Sequence, residues 1–439
     1  MKITVFGAGK SGIAVAKALH ARHDIFLSEE KERMDAATLK KLKNLNVSIE
    51  TGGHTKKAIQ DADLIVLSPG VPLDIPLIKL AKRQHIPVIG EVELAFRFLK
   101  KPIIAVTGTN GKTTTTALIG QMLRDNGYSV AVAGNIGYPL ILVDDRKLDY
   151  IVAEISSYQL ETIDKFRPWI SILLNITEDH LIRHGSMKEY MRQKAAIFRN
   201  QGRGDHLIYN YDDKRVKDIS TKSRCAKLAF SQKRHLSSGA YLKDDLLFFN
   251  GTKICNINDI RIKGAHNIEN CLAAVSAAAL CGVPARSIAG TLKKFKGVEH
   301  RVEFVKKIKG VSFYNDSKGT NPDSTIVAIK ALASRHGLVL ILGGRDKMTD
   351  LRGLCRAVKN SVKDVVLIGE AKTRFRTNLR KWGFKRLHDS PNFRDAVRRS
   401  YSLAAPGDAV LLSPACASFD MFSNFEERGK VFKKIVANL

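Results

Sequence analysis

The segment TGTNGKTTT at residues 107–115 places two glycines, a lysine and several threonines directly after an apolar run. Backbone N–H groups of such a loop can surround phosphate oxygens, the lysine adds positive charge, and a hydroxyl can bind Mg²⁺. The GKT triplet at a strand-to-helix junction therefore predicts nucleoside triphosphate binding. The residues predicted to make the contacts are Gly108, Asn110, Gly111, Lys112, Thr113 and Thr114. Val106 stands where the common phosphate-loop pattern has its first glycine, so the loop is not the ordinary form.

Two side chains that could bind metal follow apolar runs further along the chain. Glu154 closes DYIVAE, and His180 follows SILLNITED. Phosphoryl transfer to a carboxylate needs Mg²⁺ to neutralise charge between donor and acceptor oxygens. Glu154 could instead cap a helix, and His180 could be an ordinary loop histidine. The phosphate loop upstream favours metal binding for both residues.

A second glycine pattern, GxGxxG at Gly7, Gly9 and Gly12, follows the first apolar run and precedes a helix-like stretch. Such glycines permit a tight turn and let a diphosphate approach the helix N-terminus. The pattern predicts nucleotide or diphosphate binding, with a turn that only packs the helix as the alternative. Glu29 and Glu30 could accept a ribose hydroxyl of a dinucleotide, but two acidic residues are not a specific signal.

Alternating strand and helix patterns must position these residues, and the alternation restarts near residues 102 and 297. We predict an α/β protein with a Rossmann-like N-terminal domain at 1–98, a central P-loop-type ATPase domain with a mixed sheet at 99–296, and a Rossmann-like C-terminal domain at 297–439. In the central domain, DHLIYN, KLAFS, LLFFNG and ICNINDIRIKG suggest antiparallel strands. Because ligands gather at the carboxyl ends of strands in open α/β sheets, we expect the loops of the three domains to face a shared cleft.

The composition narrows the class of protein. The chain has 439 residues, of which 44% are hydrophobic and 26% charged, as in soluble multidomain proteins. Its 72 basic and 43 acidic residues give a net charge of +29, but the basic residues are spread along the chain, which disfavours nucleic-acid binding. Six scattered cysteines without a CxxC pair, no signal segment and no long apolar run favour a cytoplasmic protein with reduced thiols.

Several motifs resemble those of the Mur ligase family: TGTNGKTTT, GNIG at 134–137, HN at 266–267, EHR at 299–301 and NDSKGTNPDST at 315–325. The resemblance covers the whole chain and implies three α/β domains that form an amide bond by ATP-driven activation of a carboxylate. Three longer motifs are similar to members that add D-glutamate to UDP-N-acetylmuramoyl-L-alanine (UDP-MurNAc-L-Ala), a precursor of peptidoglycan. They are EISSYQLE at 154–161, NITEDHLIRHGS at 175–186 and SPACASFDMFSNFEERG at 413–429.

The resemblance implies that the cofactors are ATP and two Mg²⁺ ions and that the reaction passes through an acyl phosphate. The implied ATP contacts beyond the loop are Asn267, Arg301 and Asp316. The implied metal ligands are Thr113, Glu154, His180 and Lys194. Lys194 would serve only after carbamylation turns its amine into a carboxylate. Unmodified, a lysine on an apolar helix face is usually a snorkelling side chain with its ammonium in water.

Substrate-binding residues are implied in the same way. Ser11 and Gly70 would hold the UDP part, and Asn135 would contact the muramoyl-alanine end. The residues implied to bind D-glutamate and stabilise the anionic intermediate are Lys318, Thr320, Lys347, Ser418 and Phe425. The implied catalytic residues are Lys112, His180, Lys194 and Lys318. We expect a monomer whose partners are small molecules, without nucleic acid or membrane.

Two positions depart from the family pattern. Ile182 stands two residues after His180, where most relatives have an aspartate, so the group that orients the metal site is not evident from the sequence. The family's DSKAT is DSKGT in this chain, and Gly319 could loosen that loop.

Other functions would explain part of the sequence. A ligase of the same family with another amino acid, or a folate polyglutamylating relative, shares most motifs, but SPACASFDMF favours D-glutamate. A nicotinamide-dependent oxidoreductase would use GxGxxG and leave the GKT loop without a role. A nucleic-acid-stimulated ATPase would explain the net charge.

Overall fold

The computed structural model describes residues 1–34, 36–333 and 337–439, without the side chains of Ala37, Ile182 and Ala333. These residues form two compact units. One comprises 1–260 and 269–295, and the other comprises 261–268 and 296–439. The described strands form three sheets, and the predicted α/β class is confirmed. The predicted domain boundaries after residues 98 and 296 stay predictions.

The first sheet is fully parallel, with the strand order β3-β2-β1-β4-β5. Its strands are β1 Lys2–Phe6, β2 Asp24–Glu29, β3 Ser48–Thr51, β4 Leu64–Leu67 and β5 Val88–Gly90. The helices around it are α1 Lys10–Leu19, α2 Ala36–Lys43, α3 Pro76–Arg83 and α4 Glu91–Phe98. Successive side chains of β1 enter different hydrophobic clusters, Val5 one and Phe6 the other. Both faces of the sheet are therefore buried, as expected for a parallel sheet.

The second sheet has nine strands in the order β14-β13-β12-β11-β10-β9-β6-β8-β7. Its strands are β6 Ile103–Thr107, β7 Val130–Gly134, β8 Tyr150–Glu154, β9 Ile170–Leu173, β10 His206–Asn210, β11 Ala226–Ser231, β12 Ala240–Lys243, β13 Leu246–Phe249 and β14 Thr252–Asn256. Its helices are α5 Lys112–Asp125, α6 Ser157–Leu160, α7 Leu181–His184, α8 Met187–Ala195, α9 Lys214–Ser220, α10 Ala265–Leu280 and α11 Ala285–Lys294.

The mixed character of this sheet is confirmed, but the direction of two strands differs from the prediction. The antiparallel prediction is wrong for DHLIYN and KLAFS, because β10 pairs parallel with both β9 and β11. Helix α9 lies between β10 and β11 and supplies the crossover that a parallel pair requires. Antiparallel pairing is confined to β12, β13 and β14, and RIKG at 261–264 forms no strand.

The third sheet has the order β15-β16-β20-β17-β18-β19 and is parallel except for the β15–β16 pair. Its strands are β15 Glu303–Ile308, β16 Val311–Asn315, β17 Leu338–Gly343, β18 Asp364–Ile368, β19 Leu387–Asp389 and β20 Ala409–Leu412. Its helices are α12 Pro322–Ala333, α13 Arg352–Ser361, α14 Lys372–Lys381, α15 Phe393–Leu403 and α16 Phe425–Ala437. Along β17, Leu340 enters one hydrophobic cluster and Ile341 the other, so helices cover both faces. No helix in the described ranges could cross a membrane by its length and hydropathy.

A buried carboxylate connects the helix after the first sheet to the second sheet. Glu93 of α4 has a fully buried side chain, and Arg97 donates to it at 3.1 Å. Its Oε2 accepts the backbone N–H groups of Asp164, Lys165 and Phe166 at 2.9, 3.0 and 2.9 Å. A carboxylate that accepts three successive backbone N–H groups stabilises the loop before β9, because each would otherwise lose this partner.

We expect Glu93→Gln to destabilise the first unit by about 2 kcal/mol, because the amide replaces charge-assisted hydrogen bonds with weaker ones. The measurement is the urea midpoint of unfolding at pH 8. Glu91→Gln is the matched control, since burial raises the pKa of the Glu91 carboxyl to about 7. A raised carboxyl pKa contributes stability that is lost as pH rises through about 7, so this control should not lower the midpoint at pH 8. A wild-type midpoint for Glu93→Gln would contradict the proposed role.

Candidate active site

The phosphate loop between β6 and α5 requires glycine at two positions. Gly108 and Gly111 have φ angles of 152° and 85°. A Cβ at Gly108 would lie 2.9 Å from the Leu174 Cβ, and one at Gly111 would lie 2.2 Å from the Asn270 Oδ1. Val106, which replaces the usual first glycine, is a fully buried residue inside β6. The departure from the common pattern therefore falls in the strand and leaves the cradle intact.

Two lysine side chains converge on this loop. Lys112 Nζ donates to the carbonyls of Gly108 and Thr109, both at 2.8 Å. Lys194 Nζ donates to the same Gly108 carbonyl at 2.8 Å and lies 4.6 Å from the centre of the Tyr190 ring. Lys194 is only 1% exposed, so the snorkelling interpretation is wrong. Burial, and secondarily the charge of Lys112, lowers its pKa well below the usual lysine value.

The segment after β9 fixes the loop from the other side. Asn175 Oδ1 accepts the Asn110 N–H at 2.8 Å, and its Nδ2 donates to the Asn110 carbonyl at 3.1 Å. Thr109 Oγ1 accepts the Thr177 N–H at 3.0 Å and lies 3.1 Å from the Tyr190 hydroxyl. The conformation of the loop is therefore held by hydrogen bonds from the protein itself. Thr113 and Thr114 begin α5 and are buried.

Glu154 and Asn135 are brought together at the carboxyl ends of β8 and β7. Asn135 Nδ2 donates to Glu154 Oε1 at 2.8 Å, and its backbone N–H donates to the Glu154 carbonyl at 2.8 Å. Glu154 is buried and does not cap a helix, since Ser156 caps α6. Glu154, a predicted metal ligand, and Asn135, a predicted substrate contact, are thus hydrogen-bonded to each other.

His180 precedes α7 in a left-handed backbone conformation, with φ of 56°. Its Nδ1 lies 3.0 Å from the hydroxyl of Tyr158, and its Nε2 lies 3.5 Å from Asp179 Oδ2. Arg183 stacks over the Tyr158 ring, pairs with Glu161 at 2.6 Å and donates to the Val71 carbonyl at 2.9 Å. The side chain of Ile182, where the family has an acid, lies outside the described residues. Tyr158 is the group found beside Nδ1.

The N-terminal glycine loop is tightly packed. A Cβ at Gly12 would lie 1.9 Å from the Gly7 carbonyl oxygen, so glycine is required there. The partly buried Ser11 and the exposed Gly70 follow the neighbouring strands β1 and β4. Glu29 accepts the Ala8 N–H at 2.6 Å and is therefore hydrogen-bonded to the glycine loop itself. This contact argues against a dinucleotide ribose at Glu29.

In the second unit, two of the predicted ATP contacts, Arg301 and the buried Asp316, interact electrostatically. Asp316 accepts the Ser413 hydroxyl at 2.6 Å and the Val302 N–H at 3.2 Å. Burial raises the pKa of the Asp316 carboxyl to about 6, while the charge of Arg301 lowers it. Burial lowers the pKa of His266 to about 4, and the charge of Arg301 contributes to this shift. Asn267 donates to the Lys263 carbonyl at 2.9 Å.

The residues implied to bind D-glutamate follow three adjacent strands of the third sheet. Lys318 and Thr320 follow β16, Ser418 follows β20, and the exposed Lys347 follows β17. Lys318 Nζ lies 5.4 Å from the centre of the Phe425 ring, at the start of α16.

Gly319 does not fit the expectation of a loosened loop. A Cβ there would lie 2.5 Å from Asp316 Oδ2 and 2.7 Å from Ser413 Oγ. In this conformation the turn is close-packed, and an alanine at this position would require the Asp316 and Ser413 side chains to shift.

One group of three His or acidic side chains in the described ranges could hold a metal: Glu299, His300 and Glu303. Lys433 donates to both carboxylates, at 2.6 and 2.9 Å, and offsets part of their negative charge. The predicted metal set has only two residues of these types, Glu154 and His180, and gains a third ligand of similar chemistry, a carbamate, only if Lys194 is carbamylated.

Some contributing residues were not found by sequence reasoning. They are Tyr158, Asn175, Tyr190, Asn270 and Arg428. Four of them support other residues, and a role exercised through another side chain leaves no motif of its own. Tyr158, Asn175 and Arg428 lie within the longer motifs, but their contacts and the burial of Arg428 could not be seen from residue type.

Comparison with known proteins gives one matching family model for the region of each of the three sheets. Three family models match: "Mur ligase MurD-like, N-terminal domain" at residues 1–90, "Mur ligase middle domain" at 106–278 and "Mur ligase, glutamate ligase domain" at 300–416. A protein of Thermoanaerobacter sp. (strain X514) named UDP-N-acetylmuramoylalanine--D-glutamate ligase is 47% identical over 448 residues, covering 100% of this chain and 98% of that protein. One of the same name from Clostridioides difficile is 42% identical over 446 residues, with the same coverage.

Solved structures share the fold at lower identity. A UDP-N-acetylmuramate-alanine ligase from Thermotoga maritima has a TM-score of 0.63 at 21% identity, covering 100% of this chain and 99% of its own. A UDP-N-acetylmuramoylalanyl-D-glutamyl-2,6-diaminopimelate--D-alanyl-D-alanyl ligase from Acinetobacter baumannii has a TM-score of 0.64 at 16% identity, covering 99% and 93%. With relatives that match over the full length and three matching family models, this chain belongs to the Mur ligase family.

Proposed function

We propose that this chain joins D-glutamate to UDP-MurNAc-L-Ala with hydrolysis of ATP, in the synthesis of peptidoglycan precursors. The observation that carries the proposal is an intact phosphate loop in a chain that matches D-glutamate ligases along its whole length. A monomer in the cytoplasm, where ATP and UDP-sugars are made, is part of the same proposal.

ATP fits the residues of the loop. Gly108 and Gly111 permit the positive-φ backbone of the loop, and the N-terminus of α5 favours negative charge. Lys112 would turn from the Gly108 and Thr109 carbonyls to the outer phosphates, with Asn110, Thr113 and Thr114 lining the cradle. Asn267, Arg301 and Asp316 are the ATP contacts proposed from the second unit.

Magnesium fits the donor set formed by the Thr113 hydroxyl, the Glu154 carboxylate, the His180 imidazole and a carbamylated Lys194. When bound, Mg²⁺ would neutralise charge on the phosphate oxygens. The buried Glu154 is held by Asn135, and Tyr158 orients the His180 ring, so two of the four donors are fixed in advance.

Carbamylation of Lys194 is supported by its surroundings. The neutral amine is the form that adds to CO₂, giving a carbamate and releasing one proton. Complete burial favours that neutral form. The negative carbamate would also replace a positive charge next to Lys112.

The proposed reaction has two steps. The alanine carboxylate of UDP-MurNAc-L-Ala attacks the γ-phosphorus, ADP leaves, and an acyl phosphate forms. The D-glutamate amine then attacks the acyl carbon, loses a proton, and phosphate leaves as the amide forms. Lys318, Lys347, Thr320 and Ser418 would hold the D-glutamate carboxylates and the anionic tetrahedral intermediate, with Phe425 against the Lys318 ammonium. Ser11 and Gly70 would hold the UDP part.

The proposal predicts phosphate release that depends on one amino acid. We expect product and ADP only when ATP, Mg²⁺, UDP-MurNAc-L-Ala and D-glutamate are all present, read by phosphate assay and product mass. L-Glutamate, L-alanine and D-alanine serve as controls. Equal turnover with another amino acid would assign the chain to a different specificity within the family.

Lys112→Ala should abolish turnover, because the loop loses the charge that acts on the outer phosphates. A loss of at least about 100-fold in kcat is expected from electrostatic contributions of this kind. The unfolding midpoint should stay near the wild-type value, since hydrogen bonds of a partly buried lysine to loop carbonyls contribute little net stability. Lys101→Ala, which removes a lysine before β6, is the matched control and should keep full activity.

Lys194→Ala should lower activity strongly, and acetate or another short carboxylate should restore part of it by replacing the carbamate. Mass spectrometry of the intact wild-type protein in bicarbonate, under native conditions, gives a readout independent of turnover. Failure of every short carboxylate to restore activity, together with an unmodified wild-type mass, would remove the carbamate from the proposal.

A further inference from the structure

Arg428 of α16 is a completely buried arginine, with 0% of its surface exposed. Its Nε donates to Ser317 Oγ at 3.0 Å, and its Nη2 donates to the Ser317 carbonyl at 2.7 Å. Nη1 donates to the carbonyls of Cys416 and Ala417, both at 3.3 Å. One guanidinium therefore joins the loop after β16 to the loop after β20.

All these acceptors are neutral oxygens, so the charge is not placed there for an ion pair. Burial lowers the pKa of Arg428 to about 10, which still leaves the group protonated at neutral pH. Burying a charge costs free energy that a well-packed apolar side chain would not. A planar group with five donors in fixed directions is, however, suited to hold several carbonyl groups in one arrangement.

The two loops held by Arg428 carry the residues proposed to bind D-glutamate. Ser317 directly precedes Lys318, and Ala417 directly precedes Ser418. Ser317 Oγ also donates to the Phe425 carbonyl at 2.8 Å, which includes the start of α16 in the same network.

The loop after the third strand also approaches this group. A Cβ at Gly344, after β17, would lie 3.3 Å from Arg428 Nη1. The guanidinium thus sits beneath the carboxyl ends of three adjacent strands.

We propose that Arg428 is a positioning residue for the amino-acid substrate: it fixes Lys318 and Ser418 relative to each other without contacting the substrate. The inference rests on the proposed function, because these loops are assigned to D-glutamate there. Misplacing binding groups by about 1 Å can cost on the order of 100-fold in rate. Loss of Arg428 should therefore act first on the amino-acid substrate.

The experiment compares Arg428→Lys and Arg428→Met with wild type, measuring kcat and a separate KM for D-glutamate, ATP and UDP-MurNAc-L-Ala. We expect the KM for D-glutamate to rise about 10- to 100-fold in both variants. The KM for UDP-MurNAc-L-Ala should stay within about twofold of wild type, because that substrate is assigned to other residues. Lysine keeps the charge but not the fork of donors, so it should not rescue.

Two further variants keep the test decisive. Ser317→Ala removes one acceptor and the bond to Phe425, and should raise the KM for D-glutamate by a smaller factor even if the Arg428 variants fold poorly. Lys430→Met alters an exposed position of the same helix and should change nothing.

The outcomes separate this inference from the proposed function. If wild type shows no D-glutamate-dependent phosphate release, the proposed function fails. If wild type is active and Arg428→Lys keeps the wild-type KM for D-glutamate, the positioning role is overturned. It is equally overturned if every KM is unchanged and only the folded fraction falls, which would indicate a purely structural role.

Discussion

The hydrogen bonds of Lys112 and Lys194 to the single carbonyl of Gly108 constrain the rest of the candidate site. Each ammonium nitrogen is 2.8 Å from the same oxygen, and one of the two lysines is completely buried. Two positive charges this close in a poorly solvated place repel each other. The arrangement is stable when one amine is neutral or when negative charge lies between them. A bound triphosphate would supply such negative charge, and a carbamate on Lys194 would replace one of the two positive charges.

The surrounding structure keeps this arrangement in place. Asn175 holds the loop backbone, and the Thr177 N–H donates to the Thr109 hydroxyl. Tyr190 supplies both a hydroxyl for Thr109 and a ring face for Lys194. A loop that is already ordered loses little conformational entropy when a ligand binds. The positions of the two lysines are thus set by polar groups that have no proposed part in the reaction.

Much of the fold could be predicted because the three sheets are made of short apolar strands with polar residues at their carboxyl ends. The positions of Lys112, Glu154 and Lys318 follow from that rule. The direction of β10 and β11 did not follow, because an apolar strand reads the same in parallel and antiparallel sheets. The burial of Lys194 did not follow either, since the spacing along α8 shows which face is apolar but not how deeply an ammonium is enclosed. The contact of Tyr158 with His180 depends on tertiary packing across 22 positions of the chain.

Two buried basic residues, one lysine and one arginine, respond differently to the same burial. Lys194 and Arg428 are both almost or completely inaccessible, and burial lowers the pKa of each. A lysine can lose its proton under these conditions and become a nucleophile, which is the form that the proposed carbamylation of Lys194 needs. An arginine with a pKa of about 10 keeps its charge, and its donors stay available to carbonyl groups. Burial of a charged side chain is therefore compatible with two different roles: the carbamylation proposed at Lys194 and the positioning of Lys318 and Ser418 proposed for Arg428.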